Sequence, residues 1–147
     1  MVRRSQRWVG PELPERDADQ ANVVVECADA AEGWIVGRAL AEAGHRIATC
    51  TGPDASTGPC PLVDGRGCSA AERADVVVNL LGIGSINAQQ VLGAVHDANR
   101  QATFVVRVAP ADAQRISPLV EGCVSTLVPL HASVGTIVDA VSRALAG

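Results

Sequence analysis

The chain has 147 residues, within the roughly 100 to 200 residues typical of one domain, and 48% of them are apolar but only 2% aromatic. Its core must therefore be built from Val, Ile, Leu and Ala, which favours an α/β fold over a β-sandwich. The net charge of −4 and the lack of a basic stripe argue against a nucleic-acid surface, and the absence of Lys excludes Schiff-base and Walker-type lysine chemistry.

The first 21 residues differ in composition from the rest of the chain. They contain two Pro, four Arg and no periodic apolar face, so the sequence predicts an N-terminal tail at 1–21 and one domain at 22–147. Trp8 is either incidental in this tail or an anchor onto the domain or a partner. No signal-peptide segment and no run of ~18 apolar residues is present, so we expect a cytoplasmic protein without a membrane span.

Apolar and helical patterns alternate along the domain. Five β-branched runs have the composition of buried strands: 23–27, 46–50, 75–81, 103–108 and 124–128. Helical patterns lie at 34–43, 69–74, 87–99, 112–120 and 133–146. This alternation is typical of a doubly wound parallel sheet, so we predict a three-layer, flavodoxin-like α/β domain with the strand order 2-1-3-4-5.

Local signals set the boundaries of these elements. Gly44 is placed to end the first helix as a C′ glycine, and Asn87 with Gln90 has the spacing of a capping box that opens the third helix. Residues 51–68 contain four Gly and three Pro, which predicts a long loop instead of a full helix. Loops of this length are often functional.

Two segments resemble the receiver domain of response regulators. Residues 109–122, APADAQRISPLVEG, followed by 127–130, LVPL, resemble the fourth helix and fifth strand of that family. Residues 41–45, AEAGH, resemble the end of its first helix. The resemblance spans about residues 22–147 and implies a CheY-like receiver fold with a role in signal transduction.

A working receiver carries an acidic pair that holds Mg²⁺ after its first strand, an aspartate that accepts the phosphoryl group after its third, and a lysine before a proline in its fifth. The resemblance places the acidic pair on Cys27 and Ala28. It places the aspartate on Leu80 or Asn79, and the lysine on Val128. None of these residues supplies a carboxylate or an amine, so the resemblance implies a pseudo-receiver that has lost its phosphorylation chemistry.

Other residues do not restore that chemistry. Glu26 and Asp29 flank the acidic-pair position, but Glu26 belongs to the alternate face of the first strand. No nucleophile–base pair, carboxylate pair or phosphate loop is evident. We therefore expect a regulatory or adaptor domain that is not an enzyme and needs no cofactor.

The resemblance also implies where partners bind. Receivers commonly pair through their fourth helix, fifth strand and fifth helix, so we expect a protein partner or a homodimer at this face. Its candidate contacts, together with the tail anchor, are Arg115, Leu119, Leu130, Ile137, Val141 and Trp8. The alternative is that the apolar members of this set belong to the core.

The cysteines support a second hypothesis. Cys27 and Cys50 end the first two strands, and Cys60 and Cys68 lie in the loop that follows, so all four should gather at the carboxyl edge of the sheet. They would form a Zn or Fe–S site, or a redox sensor with a reversible Cys60–Cys68 disulfide, although their spacing matches no zinc-finger or ferredoxin pattern. The third alternative is buried structural thiols, and Cys123 belongs at the opposite edge.

Overall fold

A computed structural model describes residues 20–52, 60–82, 86–115 and 125–146. The N-terminal tail up to residue 19, with Trp8, lies outside these ranges, as do Leu119 and Cys123. Within the described ranges, no helix is both long enough and apolar enough to span a membrane.

The described residues form one parallel sheet of five strands. The strands are β1 (Asn22–Glu26), β2 (Arg46–Cys50), β3 (Val76–Asn79), β4 (Thr103–Arg107) and β5 (Ser125–Val128). They lie in the order β2-β1-β3-β4-β5, as predicted. The edge strands of the sheet are therefore β2 and β5, and β1, β3 and β4 lie inside it.

The helices are α1 (Ala30–Glu42), α2 (Ser69–Arg73), α3 (Ile86–Ala98) and α4 (Val134–Ala146), with a 3₁₀ helix at Pro110–Arg115. Asp29 caps α1, since its Oδ1 accepts from the backbone N–H groups of Ala31 at 2.9 Å and Glu32 at 3.2 Å. Gly44 follows α1 with φ +103°, which confirms the predicted C′ glycine.

Three helix boundaries differ from the sequence prediction. The first helix begins at Ala30 and not at residue 34, because Asp29 supplies the cap. The third begins at Ile86, so Asn87 lies inside it and does not open it as a capping residue. The predicted helix 112–120 is a 3₁₀ helix at Pro110–Arg115, a short form that suits a proline at its first position, and residues 116–120 lie outside the described ranges.

Helices cover both faces of the sheet, as the three-layer prediction requires. On one face, here called the α1/α4 face, Val23 and Val25 of β1 pack with Leu40 of α1 and Ile137 of α4. On the other, the α2/α3 face, Val24 packs with residues of α2 and α3. Because side chains alternate along a strand, each position at the end of β1 belongs to one core or the other.

Candidate functional site

A row of polar side chains crosses the carboxyl edge of the sheet. Glu26 of β1 is the register partner of Cys50 of β2 and of Asn79 of β3. All three are buried, and Glu26 and Asn79 are 0% exposed. Alternation from Val24 places Glu26 on the α2/α3 face, together with Cys50. The edge therefore presents a thiol, a carboxyl and an amide side by side.

The Glu26 carboxyl is incompletely hydrogen-bonded. Asn79 Nδ2 donates to Glu26 Oε1 at 3.1 Å, and Asn79 Oδ1 accepts from the N–H of Leu81 at 3.1 Å. Glu26 Oε2 has no hydrogen-bond partner among the described residues. Burial raises the pKa of Glu26 to about 8, against a smaller lowering by the Asn79 bond, so the carboxyl is protonated at neutral pH.

Cys60 and Cys68 lie on the same face of the sheet as this row. Both thiols are buried in the α2/α3 core with Cys50, and Cys68 is the N-cap residue of α2. Cys50 Sγ accepts from the N–H of Gly52 at 3.1 Å, while the Cys68 side chain makes no hydrogen bond to the first turn of α2. A backbone amide therefore reaches the sulfur of Cys50.

Cys27 does not join this cluster. It follows Glu26 in β1 and so belongs to the α1/α4 core, where its Sγ donates to Glu32 Oε1 at 3.3 Å. The four cysteines therefore lie at one edge, as topology predicts, but they divide three to one between the two faces. The prediction placed them at this edge without distinguishing its two faces, because it did not consider the alternation of side chains along the strands.

All four cysteines are free thiols in this structure, so no Cys60–Cys68 disulfide is present. Burial raises the pKa of Cys27 to about 11 and is the main cause of the raised pKa of Cys50, Cys60 and Cys68. Thiols of this kind are protonated and react slowly with oxidants. Among residues with described positions, no three His, Cys, Asp or Glu side chains are arranged to hold a metal ion.

An ion pair lies at the same edge on the α1/α4 side. Arg107, the last residue of β4, binds Glu32 of α1 through Nη1–Oε2 at 2.6 Å and Nη2–Oε1 at 3.0 Å. Arg107 Nη2 also donates to the carbonyl of Leu80 at 3.1 Å. The hydrogen bonds from Arg107 lower the pKa of Glu32, so this carboxylate is ionised at neutral pH. The pair therefore joins α1 to the ends of β3 and β4.

Neither the Glu26–Asn79 pair nor the Glu32–Arg107 pair was predicted from the sequence. Glu26 was noted only as a residue on the other face, and Arg107 and Glu32 were not singled out. The signal that could have found Glu26 and Arg107 is a charged residue that ends an otherwise apolar strand. Such a residue needs a partner at the sheet edge, because its neighbours along the strand are buried.

The positions that the receiver resemblance assigned can now be placed. Asn79 is the last residue of β3 and fully buried, and Leu80 is 3% exposed. Val128 ends β5 and is also buried. Cys27 is buried against Glu32, while Ala28 is exposed. These five positions present no carboxylate and no amine at the carboxyl edge.

The Asn99 side chain links α2 and the residue that follows it to the end of α3. Its Nδ2 donates to the carbonyls of Ala71 and Ala74, each at 2.9 Å, and of Glu72 at 3.3 Å. Its Oδ1 accepts from the N–H groups of Gln101 at 3.0 Å and Ala102 at 3.1 Å. One buried side chain thus ties α2, which Cys68 caps, to the end of α3.

The predicted contact residues have different surroundings. Ile137 and Val141 are 1% and 0% exposed and belong to the α1/α4 core, so their prediction as surface contacts is wrong. They lie four positions apart on the side of α4 that packs against the sheet. Leu130 is 48% exposed, and Arg115 ends the 3₁₀ helix. Leu130 is therefore the described apolar candidate that remains available to a partner.

A second exposed apolar area lies on α1. Trp34 is 61% exposed, and the Arg38 guanidinium lies over its ring at 5.3 Å. Beside it, a groove of about 280 Å³ runs between α1 and β2 and is lined in part by Gly37 and Ile47. This area is far in sequence from the predicted contact face.

Solved structures of similar fold identify the architecture. No protein-family model matches the sequence, and no curated protein matches it. A CheY-like receiver domain protein from Methanospirillum hungatei is 10% identical over 88% of this chain and 95% of its own, with a TM-score of 0.63. A chemotaxis protein from Vibrio cholerae is 14% identical over 85% of this chain and 98% of its own, with a TM-score of 0.61.

A candidate pilus assembly protein from Burkholderia thailandensis has the same fold. It is 16% identical over 86% of this chain and 99% of its own, with a TM-score of 0.61. Together with the sheet order, these structures show that the chain has the CheY-like, flavodoxin-like fold of response-regulator receiver domains. The expected fold class is confirmed.

Proposed function

We propose that the chain is a receiver-like regulatory or adaptor domain that acts through protein–protein contacts, without phosphoryl transfer and without an enzymatic activity of its own. The observation that carries this proposal is the state of the carboxyl edge. The positions at which a receiver binds Mg²⁺ and accepts phosphate hold Cys27, Ala28, Asn79 and Leu80. The described carboxyl groups beside them have other roles: Asp29 caps α1, Glu32 binds Arg107, and Glu26 is buried and protonated.

The carboxyl edge of the sheet suits neither Mg²⁺ nor an incoming phosphate. Mg²⁺ requires hard oxygen ligands in near-octahedral geometry, and a protonated, buried carboxyl is a poor one. Arg107 could attract an anion only after releasing Glu32, with which it makes two charge-assisted hydrogen bonds. The edge therefore favours a fixed structure over a phosphorylation switch.

Contact through a surface is the function that a fold of this kind retains. Leu127 on the edge strand β5 is 43% exposed, and Leu130 just after it is 48% exposed. We assign the contact to this place, with a second copy of the chain as the partner. The similar fold of a candidate pilus assembly protein is in keeping with a role in assembly. That the domain acts in the cytoplasm stays a prediction.

Leu130→Glu is expected to weaken self-association, because it places a charge in an apolar contact. The measurement is the solution mass by light scattering over a range of concentrations, with and without Mg²⁺ and acetyl phosphate. We expect a dimer that dissociates at least about tenfold more readily in the variant, a loss of about 1.4 kcal/mol, and no response to acetyl phosphate.

Trp34→Glu is the matched control, since Trp34 is the more exposed residue but lies on α1. It should leave the mass unchanged. A dimer that dissociates on Trp34→Glu but not on Leu130→Glu would place the contact on α1 instead. A wild-type monomer at every concentration would refute the second copy as the partner, and a mass that changes with acetyl phosphate would refute the absence of phosphoryl transfer.

The redox form of the second hypothesis receives no support from the thiols. Their burial and raised pKa keep the nucleophilic thiolate scarce at neutral pH. We therefore do not propose a disulfide switch.

A further inference from the structure

An apolar groove lies between α1 and β2, an edge strand of the sheet. Its volume is about 280 Å³, and its described lining includes Trp34, Gly37 and Arg38 of α1 with Ile47 and Thr49 of β2. Gly37 lets the helix approach the strand closely, because a Cβ there would lie 3.3 Å from Thr49 Cγ2 and 3.4 Å from Ile47 Cγ2. Small-molecule pockets usually measure about 300 to 1,000 Å³, so this groove suits a single large side chain.

The outer side of β2 is an open edge of the sheet. The Arg46 N–H donates to the carbonyl of Ala21 at 2.8 Å, so the backbone groups of Arg46 point toward β1. Because these directions alternate along a parallel strand, the backbone groups of Ile47 and Thr49 point away from β1. Among the described strands, none lies beyond β2. Native proteins commonly cover or blunt an edge of this kind, which here borders an apolar groove.

The N-terminal tail joins the sheet at one end of this groove. The bond between Ala21 and Arg46 shows that the chain enters β1 beside the first residue of β2. The twelve residues from Trp8 to Asp19 can span up to about 40 Å when extended. The five residues of β2 are about 17 Å long. Trp8 is therefore within reach of every point along the groove.

The charges of the tail suit this path. Residues 12–19 contain four acidic residues and one Arg. They would pass the amino end of β2, where Arg46 begins the strand and where α1, which runs back along the sheet, places Arg38 in the groove. Trp8 lies beyond this acidic segment, at the distance of the apolar part of the groove beside Trp34.

We propose that the N-terminal tail runs back along β2 and that Trp8 binds in the groove between α1 and β2 of its own domain. The indole buries a large apolar area against Trp34 and Ile47 and covers the open edge of β2. The groove is already open, so binding requires no movement of the described elements. The site lies at the opposite edge of the sheet from Leu130 and is independent of the self-association proposed there. Displacing the tail exposes the α1 surface to a partner.

The test follows the fluorescence of Trp8 in the full chain. The chain has two tryptophans, so Trp34→Phe leaves Trp8 as the only indole and keeps an aromatic wall on the groove. We expect emission at shorter wavelength and weaker acrylamide quenching than in a free peptide of residues 1–19, at every protein concentration. Adding Thr49→Glu, which sets a charge in the groove at an exposed position, should return both properties to the values of the peptide.

Ile35→Glu in the same background is the matched control, because Ile35 is 50% exposed on α1 but lies outside the described lining of the groove. It should leave Trp8 protected, and circular dichroism establishes that each variant is folded. Quenching equal to that of the free peptide in folded Trp34→Phe protein would overturn the proposal without any groove variant. Protection that increases with protein concentration would assign the groove to the tail of a second copy, and protection that survives Thr49→Glu would place Trp8 elsewhere. Either result contradicts the proposal.

Discussion

Replacing Asn99 by Asp is expected to cost about 3 kcal/mol or more of unfolding free energy, the larger of two stability effects that the structure predicts. The Asn99 Nδ2 group donates to three backbone carbonyls, of Ala71, Glu72 and Ala74. A carboxylate at this position removes every one of these donors and sets a negative charge against three carbonyl oxygens. Each buried acceptor left unpaired costs about 1 to 3 kcal/mol, and a buried unpaired charge costs more.

The measurement is the midpoint of urea unfolding at pH 7. Asp97→Asn is the matched control, because it makes the reverse exchange two residues earlier at a side chain that is 74% exposed, where we expect a change within about 0.5 kcal/mol. An Asn99→Asp variant as stable as the wild type would show that Asn99 does not hold α2 against α3.

Glu32→Gln is expected to destabilise the domain by about 1 to 2 kcal/mol at pH 7. It removes the negative charge from an ion pair that two hydrogen bonds join to Arg107. The Arg107 guanidinium, whose side chain is 16% exposed, is then left without its counter-ion. We expect no larger loss of stability, because the Glu32 side chain is 38% exposed and solvent partly screens its charge. Glu42→Gln makes the same exchange in an ion pair exposed at both ends, and should change stability by less than about 0.5 kcal/mol.

The pH dependence of this difference has a defined sign. Arg107 lowers the pKa of Glu32 in the folded state, so the folded protein holds the proton less tightly than the unfolded chain. The contribution is complete above the unfolded value of 4.5 and is lost as the pH falls through the lower folded value. Urea unfolding of wild type and Glu32→Gln should therefore differ at pH 7 and converge in acid. A difference that stays constant down to strong acid would contradict the role of the ion pair.

Elements set by local pattern were predictable from sequence. The five strands follow from apolar runs such as 75–81, within which β3 occupies Val76–Asn79, because strands buried on both faces tolerate few polar residues. Their order was predicted from the order common in short doubly wound sheets. The second strand, Arg46–Cys50, was predicted at its observed ends. Gly44 marked the end of α1 because a positive φ favours glycine.

The candidate site was less predictable, because it depends on which face each side chain occupies. Topology places Cys27 and Cys50 at one edge, but one position of difference along the strands puts them in opposite cores. The pair of Glu32 and Arg107 joins residues far apart in the chain, and no local pattern indicates such a contact. Ile137 and Val141 were assigned to the surface by analogy, although their helical spacing equally fits the core.

The most direct test of a receiver-like fold without phosphoryl transfer is the intact mass of the protein after incubation with Mg²⁺ and acetyl phosphate, measured without acid exposure. A working receiver domain treated in parallel verifies that the donor is active. We expect no phosphorylated fraction, because Asn79 and Leu80 offer no carboxylate and Arg107 is bound to Glu32. A stoichiometric phosphoryl adduct on this chain would contradict it.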